Sequence, residues 1–309
     1  MNKKIALALV AITLVLPSTA NAALKNTLVP APTLAILDTG IDTSLPIFKD
    51  RIVTEVCILD RNACPNGKTF MEGTGAATIP SNLINLNGFD HGTLMAYIAA
   101  NSNPDLKIVF VKIIGQNPSG SRQLAGESAV YNALQWVLDN KDRLNIQAVS
   151  MAQAHHNLLV GTDYCPKTPI TESKVKALVN AGIPVFFPAG NTRDYVRIDW
   201  PACLPDSISI GATMPTQEIA IYTNNDSNLL DFFALGTMVA YGPNNVKTNV
   251  AGTSASVQVA AANWIQVKSA KPSLSYQQIY DLIKKTATPT RNSKINSGLL
   301  INPIGAING

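Results

Sequence analysis

Short, uninterrupted apolar runs alternate with helix-patterned segments along most of this chain, and that alternation constrains its fold more than any other feature. Leu34-Ala35-Ile36-Leu37 leads straight into Asp38-Thr39-Gly40. Lys107–Ile113 is rich in Ile, Val and Phe, and Asn145–Met151, Pro184–Phe187 and Ser207–Ile210 repeat the pattern. Between them His91–Ala100 has helical character, Gly126–Asn140 places Val130, Leu134, Val137 and Leu138 on one helical face, and Glu172–Ala181 stops at Gly182. Ala255–Ser269 is an Ala-rich helical stretch, and Ser275-Tyr276-Gln277-Gln278 opens another helix with a capping-box pattern. A strand that is apolar at every position is buried on both faces, which is the condition of a parallel sheet covered by helices. The expected fold is therefore α/β: three layers, a mainly parallel β-sheet with helices on both faces. Ligands of such sheets sit outside the carboxyl ends of the strands. Chemistry is expected where strands end and helices begin.

Composition narrows the function classes. With 46% hydrophobic and 14% charged residues, the chain has ample material for a core and is not disordered. A net charge of +4 over 309 residues supplies no strong positive field, which argues against a nucleic-acid partner. Lys3 and Lys4, the 12 apolar residues Ile5–Leu16, and Ala20-Asn21-Ala22 fit a secretory signal peptide over 1–22, followed by one domain over 23–309. At 1.5 Å per residue the apolar run reaches about 18 Å, short of the roughly 30 Å hydrocarbon layer. No membrane anchor is expected after cleavage, and the protein is expected to be exported, periplasmic or secreted. Removal of the two lysines leaves a nearly neutral surface.

The four cysteines, Cys57, Cys64, Cys165 and Cys203, all lie in the mature part. An even count in an exported chain points to disulfides, with three connectivities open. Cys57–Cys64 with Cys165–Cys203 is favoured, because the first pair closes a short loop. The paired C-x-x-C spacing of most structural zinc sites is missing.

Three polar residues stand at strand–helix junctions: Asp38, His91 and Ser254. Singly, each reads as an ordinary turn or cap residue. Together they supply what nucleophilic acyl transfer needs. A serine hydroxyl is a weak nucleophile until an imidazole takes its proton, and a buried carboxylate fixes the imidazole tautomer and stabilises the imidazolium. A serine at a helix N-terminus also has backbone N–H groups that favour developing negative charge.

Leu37-Asp38-Thr39-Gly40-Ile41-Asp42, Asp90-His91-Gly92-Thr93 and Gly252-Thr253-Ser254 resemble the three signatures of the subtilisin-like serine peptidases, the subtilases, in that family's order. Gly182–Asn191 is similar to the strand leading to the family's oxyanion-hole asparagine, and Trp200-Pro201-Ala202, Ser207–Ala212 and Gly298–Ala306 are similar to later segments. The resemblance covers roughly residues 30 to 308. It implies a serine endopeptidase with Asp38, His91 and Ser254 as catalytic residues and Asn191 as oxyanion donor. It further implies that Ser150, Met151, Ala152, Gln153, Ala154, Ala189 and Gly190 bind polypeptide substrates.

The match departs in places. Ala255-Ser256 and Gln258 replace the usual Met-Ala and later Pro, and Leu94 replaces a second histidine. Ala152-Gln153-Ala154 stands where Ser-Leu-Gly is common, so substrate preference is left open. Exported family members usually carry a propeptide, yet only 15 residues separate Ala23 from Asp38. Folding unaided, or with an inhibitor or chaperone chain, are both left open. No cofactor is expected for the chemistry; a structural calcium is left open, since it would need a carboxylate-dense loop and none is identifiable in the sequence. His155, His156, Gly115–Gly120 and Asn224–Asn228 are expected as exposed loop. A silent peptide-binding module and a serine esterase or transpeptidase with the same triad are the competing functions.

Overall fold

The computed structural model describes residues 31–309 apart from 62, 85–87, 118–119, 156–164 and 166–167. The expected signal peptide and His156 lie outside the described residues. The strands are β1 (Thr33–Asp38), β2 (Ile52–Ile58), β3 (Phe70–Glu72), β4 (Lys107–Lys112), β5 (Gly115–Gln116), β6 (Arg122–Gln123), β7 (Ile146–Met151), β8 (Val185–Pro188), β9 (Ile208–Thr213), β10 (Phe232–Leu235), β11 (Thr237–Gly242), β12 (Val246–Ala251), β13 (Thr288–Thr290) and β14 (Gly298–Leu300). The helices are α1 (His91–Ser102), α2 (Glu127–Asn140), α3 (Pro169–Asn180), α4 (Thr253–Ala270), α5 (Tyr276–Thr286) and α6 (Pro303–Asn308).

Ten strands form one sheet in the order β13-β14-β10-β9-β8-β7-β1-β4-β2-β3. Its inner pairings are parallel, and only the edge strands β3 and β13 run antiparallel. The three layers follow from the alternation of side chains along each strand. Ala35 and Leu37 of β1 and Val109 and Val111 of β4 pack with Val130, Leu134 and Val137 of α2 and with Val175 and Leu178 of α3. Leu34, Ile36, Ile108 and Phe110 face the other way, onto Ala96 and Ala99 of α1, Val257, Ala261 and Ile265 of α4, and Ile279 of α5. All six residues of β1 are buried, as an apolar central strand requires.

The helix signals hold at the residue level. At α5, Gln278 N–H donates to Ser275 Oγ at 3.3 Å while Ser275 N–H donates to the Gln278 side chain at 2.9 Å. Helix α3 begins three residues earlier than its expected start, with Pro169 in its first turn. Both disulfides form with the expected connectivity, Cys57–Cys64 and Cys165–Cys203. The second closes a loop of 38 residues, worth about 4 kcal/mol by loop-closure entropy.

Two segments expected as solvated loop are corrected. Gly115–Gln116 pairs with Arg122–Gln123 in a small antiparallel hairpin. Asn224 is fully buried, because its side chain finds backbone partners 30 and 32 residues away.

Candidate active site

The chain places Asp38 at the carboxyl end of β1, at the centre of the sheet, where it is 1% exposed. Its carboxylate faces the ring of His91, the first residue of α1: Nδ1 lies 2.8 Å from Oδ1 and 3.0 Å from Oδ2. Thr39 N–H also donates to Oδ1, at 2.7 Å. Thr39 then clamps the start of α1, its hydroxyl donating to Phe89 O at 3.1 Å and accepting from Gly92 N–H at 3.0 Å. The approach is so close that a Cβ on Gly92 would collide with the Gly40 carbonyl. These contacts fix the imidazole against the carboxylate, which holds the proton on Nδ1 and leaves Nε2 as the basic nitrogen.

Ser254 is the second residue of α4 and lines the same cavity as His91, a cleft of about 420 Å³. Its hydroxyl donates to Ala152 O at 2.9 Å, and among the described residues no hydrogen bond joins it to His91. A rotation about χ1 moves a serine hydroxyl between staggered positions without backbone motion, and catalytic hydrogen bonds of unliganded sites commonly tighten only when substrate binds.

Asn191 follows β8. Its Oδ1 accepts from Thr253 N–H at 2.9 Å and from the Thr253 hydroxyl at 3.1 Å. Gly190 N–H donates to that hydroxyl at 3.3 Å. With Oδ1 doubly held, the amide cannot flip, and the Nδ2 hydrogens are left for the cleft that Asn191 lines. Thr253 is thus the anchor of the candidate oxyanion donor. Its sequence signal was its place inside Gly252-Thr253-Ser254.

The cleft is also lined by Ala152, Gln153, Ala154 and Gly190. Three other residues expected to bind substrate do not line it, because each is turned into the interior. Ser150 is fully buried and its hydroxyl donates to Gln258 Oε1 at 2.8 Å. Met151 packs in the core beside Phe187, and Ala189 is buried with its N–H and C=O spent on Ile210 and Asp199. His155, expected at the surface, is half-buried against Trp200, ring centroids 5.3 Å apart, and touches the Gln153 side chain. Burial holds its pKa below the ordinary histidine value, against weaker opposing effects of the Ala125 backbone and the Asp199 charge. Asp199 and Arg122 line the cleft as well; no local motif singles them out in the sequence. Among the described residues no group of three or more His, Cys, Asp or Glu is placed to hold a metal ion.

Beneath Ser254 the helix departs from an apolar pattern. Gln258 is fully buried, and its Nε2 has no hydrogen-bond partner. An orphaned buried donor costs about 1–3 kcal/mol. The double change Ser150→Ala with Gln258→Leu is expected to raise stability by roughly 1 kcal/mol, whereas Ser150→Ala alone is expected to lower it by about 1–2 kcal/mol. Urea unfolding of the three proteins separates the two outcomes.

A carboxylate–imidazole pair, a serine at a helix N-terminus and an amide held by Thr253 border one cleft, the set of groups that acyl transfer through a serine requires. Residues 30–299 match the model of the subtilase family, peptidase family S8, and the chain belongs to that family. Subtilisin Savinase of Lederbergia lenta is 27% identical over 259 residues, covering 80% of this chain and 88% of that protein. The M-protease of Shouchella clausii (strain KSM-K16) is also 27% identical over 259 residues, but the chain spans only 62% of its length. Among solved structures, proteases from Pseudoalteromonas arctica PAMC 21717 superpose with a TM-score of 0.71 at 18% identity, covering 90% of each chain. That likeness establishes the shared fold.

Proposed function

We propose that this chain is an exported serine endopeptidase that hydrolyses polypeptides through an acyl-enzyme on Ser254. The observation that carries the reading is the buried Asp38 carboxylate paired with the half-buried His91 ring, which opens onto the cleft that Ser254 and the Asn191 amide also line. The Ser254 hydroxyl turns from Ala152 O toward His91 Nε2 and attacks the scissile carbonyl carbon, and Nε2 takes its proton. Asp38 holds the Nδ1 proton and stabilises the imidazolium. The oxyanion accepts hydrogen bonds from Asn191 Nδ2 and the Ser254 backbone N–H. Collapse breaks the C–N bond, and the leaving amine takes the proton from Nε2. Water then attacks the ester with the same base, returning Ser254 and releasing the new carboxyl end.

Export over a signal peptide at residues 1–22 is part of the proposal. Two disulfides support it, since such bonds persist in oxidising compartments. Asn191→Ala is expected to lower kcat by about 10²–10³-fold with KM little changed, because its bond forms only with the oxyanion. Steady-state kinetics on a peptide amide check this; an unchanged kcat contradicts the assignment.

A further inference from the structure

The geometry points to Asp42 as a positioning residue: its carboxylate fastens the tip of the β11–β12 hairpin and thereby holds Ser254 within reach of His91. The inference rests on the serine-peptidase reading and deepens it. Asp42 lies on the loop that leaves β1 just beyond Asp38, and it bonds to the segments that carry the other two triad residues. Its N–H donates to Thr93 Oγ1 at 3.0 Å, on the first turn of α1 beside His91. Its Oδ2 accepts from Asn244 N–H at 2.9 Å, across 202 positions. Asn244 stands in the turn between β11 and β12. Strand β12 then runs through Val250 and Ala251, which line the cleft, into Gly252-Thr253-Ser254.

The hairpin is firmly held at its base and middle. Gly252 N–H donates to Gly236 O at 2.9 Å, and the Tyr222 hydroxyl donates to the same oxygen at 3.1 Å. Ala240 is buried with Leu94 and Met95 of α1 and Ala255 of α4, and Met238 and Val250 pack against them. The ribbon is thus wedged between the helix of His91 and the helix of Ser254. Toward the tip the packing thins. Strand β12 has no buried residue, and Val246 is 52% exposed. A cavity of about 340 Å³, lined by Tyr97, Tyr241 and Asn245, opens beneath the turn. Asn244 and Asn245 adopt φ of +56° and +58°, the left-handed region that Asn tolerates. Among the described residues, no other hydrogen bond joins the turn at 243–245 to another segment. A two-stranded ribbon is marginal by itself, so Asp42 supplies at the tip the restraint that packing does not.

The carboxylate is oriented for this task. Its Oδ1 accepts from Ser44 N–H at 3.1 Å and from the Ser44 hydroxyl at 2.6 Å, which leaves Oδ2 for Asn244. Burial pushes the Asp42 carboxyl up, but the bonds from Ser44 and Asn244 outweigh it and hold the group below the ordinary aspartate value. The bond to the turn is therefore charge-assisted at neutral pH. Its consequence lies at the nucleophile. The Ser254 hydroxyl rests on Ala152 O and must swing to His91. That swing is productive only where the backbone at 252–254 stands at the right distance, and a misplacement of about 1 Å can cost about 10²-fold.

The test compares wild type, Asp42→Ala, Asp42→Asn and Ser44→Ala. The readouts are kcat and KM on a peptide amide, the rate of Ser254 labelling by a fluorophosphonate, and hydrogen exchange of the 237–251 segment, all referred to the folded fraction. Asp42→Ala is expected to lower kcat and the labelling rate together by about 10-fold, with KM little changed and faster exchange in the hairpin. Asp42→Asn keeps an oxygen for Asn244 N–H, and its NH₂ can donate to the Ser44 hydroxyl, so it is expected to recover most of the loss. Ser44→Ala, which removes one local partner of Oδ1, is expected to stay within about 2-fold of wild type. Should Asp42→Ala fail to fold, Asp42→Ser, too short to reach Asn244, takes its place with the same expectation. Wild-type kcat and labelling in the variant that cannot reach Asn244 would overturn the inference while leaving the peptidase reading standing. An equal loss in Ser44→Ala, or no recovery in Asp42→Asn, would overturn it as well. A folded wild type that neither labels on Ser254 nor cuts any peptide would overturn the peptidase reading, and this inference with it.

Discussion

Ser254→Ala is expected to lower kcat for a peptide amide by about 10⁶-fold, with the fold intact. The variant removes the one oxygen that can form the acyl bond, while the oxyanion donors and binding walls remain, so a residual rate of about 10³–10⁴ over uncatalysed hydrolysis should persist. The structural cost is small. The hydroxyl contributes a single hydrogen bond, to Ala152 O, and that residue is held otherwise by the core around Leu94, Met95 and Ala240. Unchanged circular dichroism with a lost burst of product marks the expected outcome. A variant that still cuts at the wild-type rate would exclude the acyl-enzyme route, and a variant that binds peptide as the wild type does, neither cutting, would favour the silent binding module.

Asp38→Asn carries the second largest expected effect, about 10⁴-fold in kcat. The reasoning concerns a proton. In the wild type both carboxylate oxygens lie within 3.0 Å of His91 Nδ1, so Nδ1 carries hydrogen and Nε2 is basic. Thr39 N–H claims Oδ1 at 2.7 Å. In an Asn side chain oriented to keep that bond, Oδ1 stays with Thr39 and the NH₂ group takes the place of Oδ2 at the ring. It donates where the carboxylate accepted, so Nδ1 becomes the acceptor and the proton moves to Nε2, the wrong tautomer. Substrate binding is untouched, so the loss should fall in kcat and not in KM. Combined with His91→Ala, the change should cost no more than His91→Ala alone, because residues acting as one unit are not additive. Additive losses would show that the two do not work together.

The parts of this protein that were legible in the sequence are those written locally. An all-apolar strand such as Leu34–Leu37, a Ser-x-x-Gln cap at Ser275, and the tripeptides around Asp38, His91 and Ser254 need no distant partner to be read. What could not be read depends on residues far apart in the chain. Strand β2 carries Glu55 in its middle, which spoils the apolar pattern. The residue is buried because its carboxylate accepts from Gly75 N–H and Ala77 N–H, both at 3.0 Å, about twenty residues on. Asn224 and Asp199 look like ordinary loop residues, yet they bond each other at 3.0 Å beneath the cleft.

The site divides the same way. Ser150 and Met151 are the last residues of β7 and face its two buried sides, toward Gln258 and toward the core that holds Phe187, whereas Ala152, Gln153 and Ala154 lie beyond the strand and line the cleft. The Asn191 amide was recognisable from its neighbours, but its locking by Thr253 is a contact across 62 positions. The direction of the Ser254 hydroxyl, toward Ala152, is a rotamer and has no sequence signal.

The central claim is that Ser254 is a nucleophile activated by His91, and covalent labelling tests it most directly. Wild-type protein treated with a fluorophosphonate and digested for mass spectrometry is expected to carry one phosphonyl group, on the peptide holding Ser254, with labelling slowed by orders of magnitude in His91→Ala. A folded wild-type protein that stays unlabelled, or labels on another residue at the same rate with and without His91, would contradict the account.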